Sequence, residues 1–148
     1  MALSHDARAL VFVFGTLKAG FPNSAVNQGR RVGTVFRTVQ AHPLYLMGAR
    51  HVPWMIDAPG SGESVAGELY EVDAAALAAM DELEGVGRPD GYHRKGLQVQ
   101  GDDAQVVMAQ VYMKRAEQLV RADVRVGPLA EYTLEHAALY RKRGAQAY

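Results

Sequence analysis

Many short strand-like runs, one capped helix near the middle and a helical pattern at the end predict an α+β fold for this chain of 148 residues. The first strand is expected over Leu10 to Phe14, a short run of bulky, β-branched and aromatic side chains. Arg31 to Val39 is β-rich with an early glycine, and Pro43 to Met47 is a short apolar piece. Asp57 to Glu63 reads as a turn by composition. Val65 to Val72 then alternates as a strand does.

Asp73 to Glu84 is the clearest helix. Asp73 suits the N-cap, alanines fill the body, and Gly85 suits the position just past the end. Lys95 to Gln100 and Gln105 to Lys114 are two further strands, joined by a turn at Gly101-Asp102-Asp103. Pro128 to Arg143 reads as a final helix, with Pro128 in its first turn, Leu129, Tyr132 and Leu139 on one face and a basic last turn.

The size suits a single domain, residues 1 to 148, with a real core. Sixteen basic and sixteen acidic residues cancel, which argues against nucleic acid or an anionic membrane surface as a partner. With no cysteine there can be no disulfide and no thiolate metal site. The start, Met1-Ala2-Leu3-Ser4-His5-Asp6, has no basic segment followed by an apolar core, and no apolar stretch approaches membrane-spanning length. A cytoplasmic protein is expected. His5, His42, His51, His93 and His136 show no metal-ligand spacing, so no metal is expected. Ser24, Ser61 and Ser64 sit in no nucleophile-elbow pattern. The basic run Arg141-Lys142-Arg143 fits a helix C-terminus better than a nucleic-acid patch.

Two local patterns carry chemistry. In the first, the apolar run Val11-Phe12-Val13-Phe14 stops at Gly15 and turns through Thr16-Leu17-Lys18-Ala19 to Gly20. A loop so poor in bulky side chains lets backbone N–H groups approach an anion closely. It is no phosphate loop, because Phe21-Pro22 follow where Lys and Ser or Thr would be needed. An ordinary turn remains the alternative, and Lys18 is expected in solvent. The second pattern lies on the central helix. At about 100° per residue, Leu77, Met80 and Glu84 share a face, Asp81 sits at its edge and Glu82 points nearly opposite. Glu84 is then the acid carried inward, where burial and the negative helix end both raise its pKa and make it a better proton acceptor. If the apolar stripe stops at Met80, Glu84 is instead a surface residue.

The loop Phe14-Gly15-Thr16-Leu17-Lys18-Ala19-Gly20-Phe21-Pro22-Asn23 resembles the opening of the gamma-glutamylcyclotransferase-like family, in particular its gamma-glutamylamine cyclotransferase branch. Val52-Pro53-Trp54-Met55, Pro59-Gly60-Ser61-Gly62, Ala66 to Asp73, Met80-Asp81-Glu82-Leu83-Glu84 and Tyr92-His93-Arg94 follow in the family's order, so the likeness covers roughly residues 9 to 115. It implies a small mixed β-barrel with flanking short helices. It implies a cofactor-independent enzyme that releases 5-oxoproline when the α-amine of a gamma-glutamyl substrate attacks its own side-chain amide.

Glu84 falls on the family's catalytic glutamate, and Phe14, Gly15, Thr16 and Leu17 on its substrate-binding loop. Phe14 replaces the usual tyrosine there, so the contact of that hydroxyl is missing. Tyr92 matches a tyrosine that holds substrate or orients the glutamate, with plain packing as the alternative. Trp54 is placed at the pocket or in the core, and Tyr112 has the same ambiguity. Two other functions stay open: a non-catalytic small-molecule-binding or interaction module on the same fold, and removal of a larger gamma-glutamyl group by the same cyclisation.

Overall fold

A computed structural model describes residues 8–142. Strands β1 (Ala9–Val13), β2 (Arg30–Thr38), β5 (Ala66–Val72), β6 (His93–Gly101) and β7 (Val106–Arg115) form a ring in the order β1-β5-β2-β6-β7, closed by a parallel pairing of β1 with β7 at Val11 and Gln110. The other contacts of the ring are antiparallel. From β7 a branch continues through β4 (Val52–Asp57), β3 (Leu44–Met47) and β8 (Val124–Val126). The molecule is the small mixed barrel with short helices that the sequence implied. No helix among the described residues is long and apolar enough to cross a membrane.

Strand β1 shows why its sequence is almost continuously apolar. Successive side chains point to opposite faces. Phe12 enters the barrel interior with Leu69, Leu97, Val99 and Val111, while Val11 and Val13 turn outward into a second cluster with Leu77 and Met80. A strand covered on both sides has no polar face to alternate. Gly67 on β5 permits this packing. A Cβ there would stand 2.5 Å from the Val13 carbonyl oxygen and 2.7 Å from the Phe12 ring.

Helix α1 (Ala74–Glu84) covers the outer face of β1 and ends as its sequence indicates. The Asp73 carboxylate accepts from the Ala76 N–H at 2.8 Å, and Gly85 adopts the left-handed conformation at φ 67°. Ala76, Leu77 and Met80 form its buried stripe.

The end of the chain departs from expectation. Only α2 (Leu134–Ala137) is helical where a helix from Pro128 to Arg143 was expected; Arg143 and the residues after it, like Met1–Asp6, lie outside the described residues. Backbone pairing takes the first part instead. The Leu129 N–H bonds the Leu44 carbonyl and the Ala130 carbonyl accepts from Ala66, each at 2.8 Å, so this stretch runs extended along two strands. Tyr132 is fully buried and Leu139 is 43% exposed, so the two share no apolar face. The apolar spacing records an extended segment plugged by one aromatic ring. Strands β4 and β8 were not foreseen either. Proline inside a run argues against a strand, but β4 pairs with β7 only at Ile56 and Asp57, which leaves Pro53 room.

Candidate active site

The Gly15 loop leaves β1 and folds on itself through its carbonyl groups. Lys18 N–H bonds the Gly15 carbonyl at 3.1 Å, Asn23 N–H the Thr16 carbonyl at 2.8 Å, and Asn27 Nδ2 the Leu17 carbonyl at 3.1 Å. The N–H groups of Gly15, Thr16 and Leu17 meet no acceptor among the described residues. Asn23 also donates from Nδ2 to Thr16 Oγ1 at 2.9 Å, which leaves the Thr16 hydroxyl proton free to point elsewhere. Three consecutive unspent amides beside a hydroxyl are suited to an anion. Gly15 is required for close approach, since a Cβ there would meet Pro53 Cγ at 3.0 Å.

This loop forms one wall of a pocket of about 390 Å³. Glu84, Tyr92, Tyr112, Val52 and Pro53 line it too, with Arg50, Glu82, Arg88, Tyr140 and Lys142. Phe14, Gly15, Thr16, Leu17, Glu84 and Tyr92 are thus brought to one cavity. Trp54 is not. Strand alternation turns it away from its neighbour Pro53, and it packs with Tyr45 and Ile56 under the Lys114 ammonium, 4.4 Å from its ring centroid. The expectation for Lys18 also fails. Its side chain is buried, donates to the Tyr132 carbonyl and lies 4.3 Å over the Phe21 ring. Burial lowers its pKa. Asn23, Arg50 and Tyr140 were not singled out as pocket residues in the sequence, and Lys142 was read only as part of a basic helix end. Only Asn23 had a local signal, as the end of the loop motif.

The acidic cluster on α1 is sorted by helix phase. Asp81 accepts from Arg94 Nε at 2.9 Å and from the Tyr112 hydroxyl at 2.6 Å, so its charge is spent on structure. Glu82 is exposed and pairs with Arg88 at 3.3 Å. Glu84 reaches the pocket, and no side chain among the described residues donates to its carboxylate. Burial raises its pKa to about 7, opposed by the positive charge of Lys114. The helix end holds it in place, for the Glu84 carbonyl accepts from the Tyr92 N–H at 2.9 Å. The Tyr92 hydroxyl donates to the Pro53 carbonyl at 2.8 Å, tying the helix wall to the floor. Burial and the nearby Glu84 raise the Tyr92 pKa well above that of an ordinary phenol, so it stays a neutral donor.

Unspent amides, a carboxyl group that can exchange a proton near neutral pH and a cavity sized for a small molecule are the parts that acid–base chemistry of the acyl-transfer kind requires. Sequence comparison gives the family: residues 11–143 match the one described as gamma-glutamyl cyclotransferase, AIG2-like, and the chain belongs to it. A gamma-glutamylaminecyclotransferase from Rattus norvegicus is 44% identical over 96 residues, 62% of this chain and 63% of its own length. One from Mus musculus is 40% identical over 116 residues, 70% of this chain and 76% of its own. The crystal structure of an AIG2-like protein from Mus musculus superposes with a TM-score of 0.80 at 32% identity, covering 94% of this chain and 99% of that one.

Proposed function

We propose that this chain is a gamma-glutamyl cyclotransferase acting on a gamma-glutamyl amine or amide. The observation that carries the reading is Glu84, a carboxylate with its pKa raised to about 7 that lines the same pocket as Gly15, Thr16 and Leu17, whose amides are unspent. Glu84 takes a proton from the substrate's α-ammonium. The freed amine attacks the side-chain carbonyl carbon, and a C–N bond forms that closes a five-membered lactam. The former amide C–N bond breaks as the protonated Glu84 gives its proton to the departing nitrogen, and the second proton of the ring nitrogen passes through the same carboxylate to the released amine, which leaves as its ammonium. One carboxyl group thus serves as base and then acid, and no cofactor enters the balance. The nucleophile is already tethered, so the protein's task is to fold the substrate into a reactive shape. The loop amides hold its α-carboxylate or the oxygen that gains charge.

The test is release of 5-oxoproline from gamma-glutamyl amides. An N-acetylated gamma-glutamyl amide is expected to bind and not to react, because its nucleophile is blocked. Its hydrolysis would point to an activated water instead. Tight binding of free-amine substrates with no 5-oxoproline formed between about pH 6 and 9 would identify a binding module.

A further inference from the structure

Glu68 is a carboxylate for which the proposed chemistry has no use. It stands on β5 with 13% of its side chain exposed, and it does not line the pocket. A charge withdrawn from water is costly unless partners surround it, and three do. Its Oε1 accepts from the Ala19 N–H and from the Tyr70 hydroxyl, each at 2.9 Å, and its Oε2 lies 3.5 Å from Arg31 Nη1.

Those partners set Glu68 across the Gly15–Gly20 loop. Its backbone pairs with Val13, the last residue of β1 before the loop begins. Its side chain reaches Ala19, at the loop's other end. One residue thus fastens both the root and the return of the loop, and the segment between them carries the unspent amides of Gly15, Thr16 and Leu17. Ala19 and Gly20 are exposed, so this corner is held by hydrogen bonds rather than by packing. Next to it stands the buried Lys18 ammonium, whose protonated form is favoured by the charge of Glu131 and then by that of Glu68. Amides that bind an anion are most effective when they are fixed before it arrives, and a loop tied at both ends meets that need.

We propose that Glu68 is a positioning residue for the anion site, bracing the Gly15–Gly20 loop so that the amides of Gly15, Thr16 and Leu17 stay set for a carboxylate or oxyanion. This rests on the cyclotransferase reading above. Glu68 acts through the loop, touches no reacting atom and moves no proton. The Ala19 N–H and the Tyr70 hydroxyl both meet the same oxygen. Glutamine, with one carbonyl oxygen, can therefore keep the brace while losing the charge. Methionine fills similar space and removes the acceptor.

The test compares Glu68→Met and Glu68→Gln with a control, Glu71→Ala, which removes the partner of Arg30 from the same strand. Folded Glu68→Met protein should bind 5-oxoproline about 10-fold more weakly and lose kcat/KM on a gamma-glutamyl alkylamide by a similar factor, the scale of one hydrogen bond to a charged group. Glu68→Gln should recover most of both, and Glu71→Ala should leave both near the wild-type values. Without ligand, the amide resonances of Gly15, Thr16 and Leu17 should shift in Glu68→Met and hold still in Glu71→Ala. A residue that serves stability alone would lower the melting temperature of Glu68→Met and leave Kd and these resonances unchanged; that result overturns the brace. A Glu68→Gln protein as impaired as Glu68→Met overturns it too. Acetate separates the two readings. Wild-type protein that forms no 5-oxoproline defeats the cyclotransferase, and the brace still stands if acetate, followed through the same three amides, binds Glu68→Met more weakly than wild type. An active wild type with equal affinities in the two proteins leaves the cyclotransferase and removes the brace.

Discussion

Glu84 enters the pocket from a helix whose start and end are set by neighbours in sequence, whereas Tyr140 enters on a segment whose next residue is clamped by Arg50, 91 positions away. On the helix side, Asp73 caps, Gly85 stops, and the Leu77–Met80 stripe fixes which acid turns inward. On the other side, Leu129, Ala130, Tyr132 and Arg141 are each held by a distant partner. The first wall is built by short-range rules and carries Glu84. The second is built by long-range backbone pairing and carries Tyr140 and Lys142. One half of the pocket is therefore decided within a single helix, and the other only once the whole fold is in place.

The largest expected effect lies on the helix wall. Glu84→Gln keeps the shape and removes the proton acceptor, so turnover of a gamma-glutamyl amide should fall roughly 10²–10⁴-fold with an unchanged circular dichroism spectrum. Glu82→Gln, two residues earlier, should leave turnover nearly unaltered. Equal losses in the two variants would erase the distinction between Glu84 and the exposed, Arg88-paired Glu82 that also borders the pocket.

On the opposite wall the corresponding break is one of stability. Tyr132→Ala removes a fully buried ring and should lower unfolding free energy by about 3–5 kcal/mol in a denaturant titration. Leu139→Ala, at an exposed position, should stay within about 0.5 kcal/mol. Comparable costs at the two sites would restore the regular helix that the apolar spacing suggested.

Where loop and floor meet, Gly15→Val should crowd Pro53 and raise KM by about 10-fold, read from initial rates, because overpacking of this kind costs one to a few kcal/mol. Binding that is undisturbed would remove the loop amides from the site.

The subtlest effect is on pH. Glu84 must be ionised to accept a proton, so kcat/KM should decline below an apparent pKa of about 7. Lys114 lowers that value by its charge, so Lys114→Met should move the acid limb to higher pH. Stability follows the opposite course. The folded pKa lies above the ordinary 4.5, so the native state holds a proton that the unfolded chain has lost, and stability should fall as pH rises from about 4.5 to about 7. Glu84→Gln should flatten that slope in thermal melts.

The same contrast explains what the amino-acid sequence discloses. Asp73, Gly85 and the Gly15 loop were legible because capping, left-handed glycine and close backbone approach are decided within a few residues. Helix phase offered Glu84 as the inward acid but left a surface position open, and the family resemblance chose between them. Arg50 and Tyr140 gave no signal and Lys142 was read as a helix end, since their meeting depends on how residues 127–142 fold back over β3 and β5. Trp54 was misplaced for a smaller reason: one step along a strand reverses the face, and Pro53, not Trp54, reaches the cavity. Lys18 was misjudged because its partner is a backbone carbonyl, which no residue type advertises.

That buried ammonium has a consequence for motion. Lys18 sits on the loop beside the unspent amides of Gly15, Thr16 and Leu17, and its acceptor, the Tyr132 carbonyl, sits on the segment that leads on to Tyr140 and Lys142 at the pocket. If the segment lifts, Lys18 exchanges a carbonyl for water, so its charge opposes the opening little. The barrier to release falls on the Tyr132 ring, which must leave the core. A ligand that engages the loop and the rim together therefore ties down both ends of this latch. Amide hydrogen exchange around Leu129–Arg141 should slow when the pocket is filled, although most of those residues never touch the ligand.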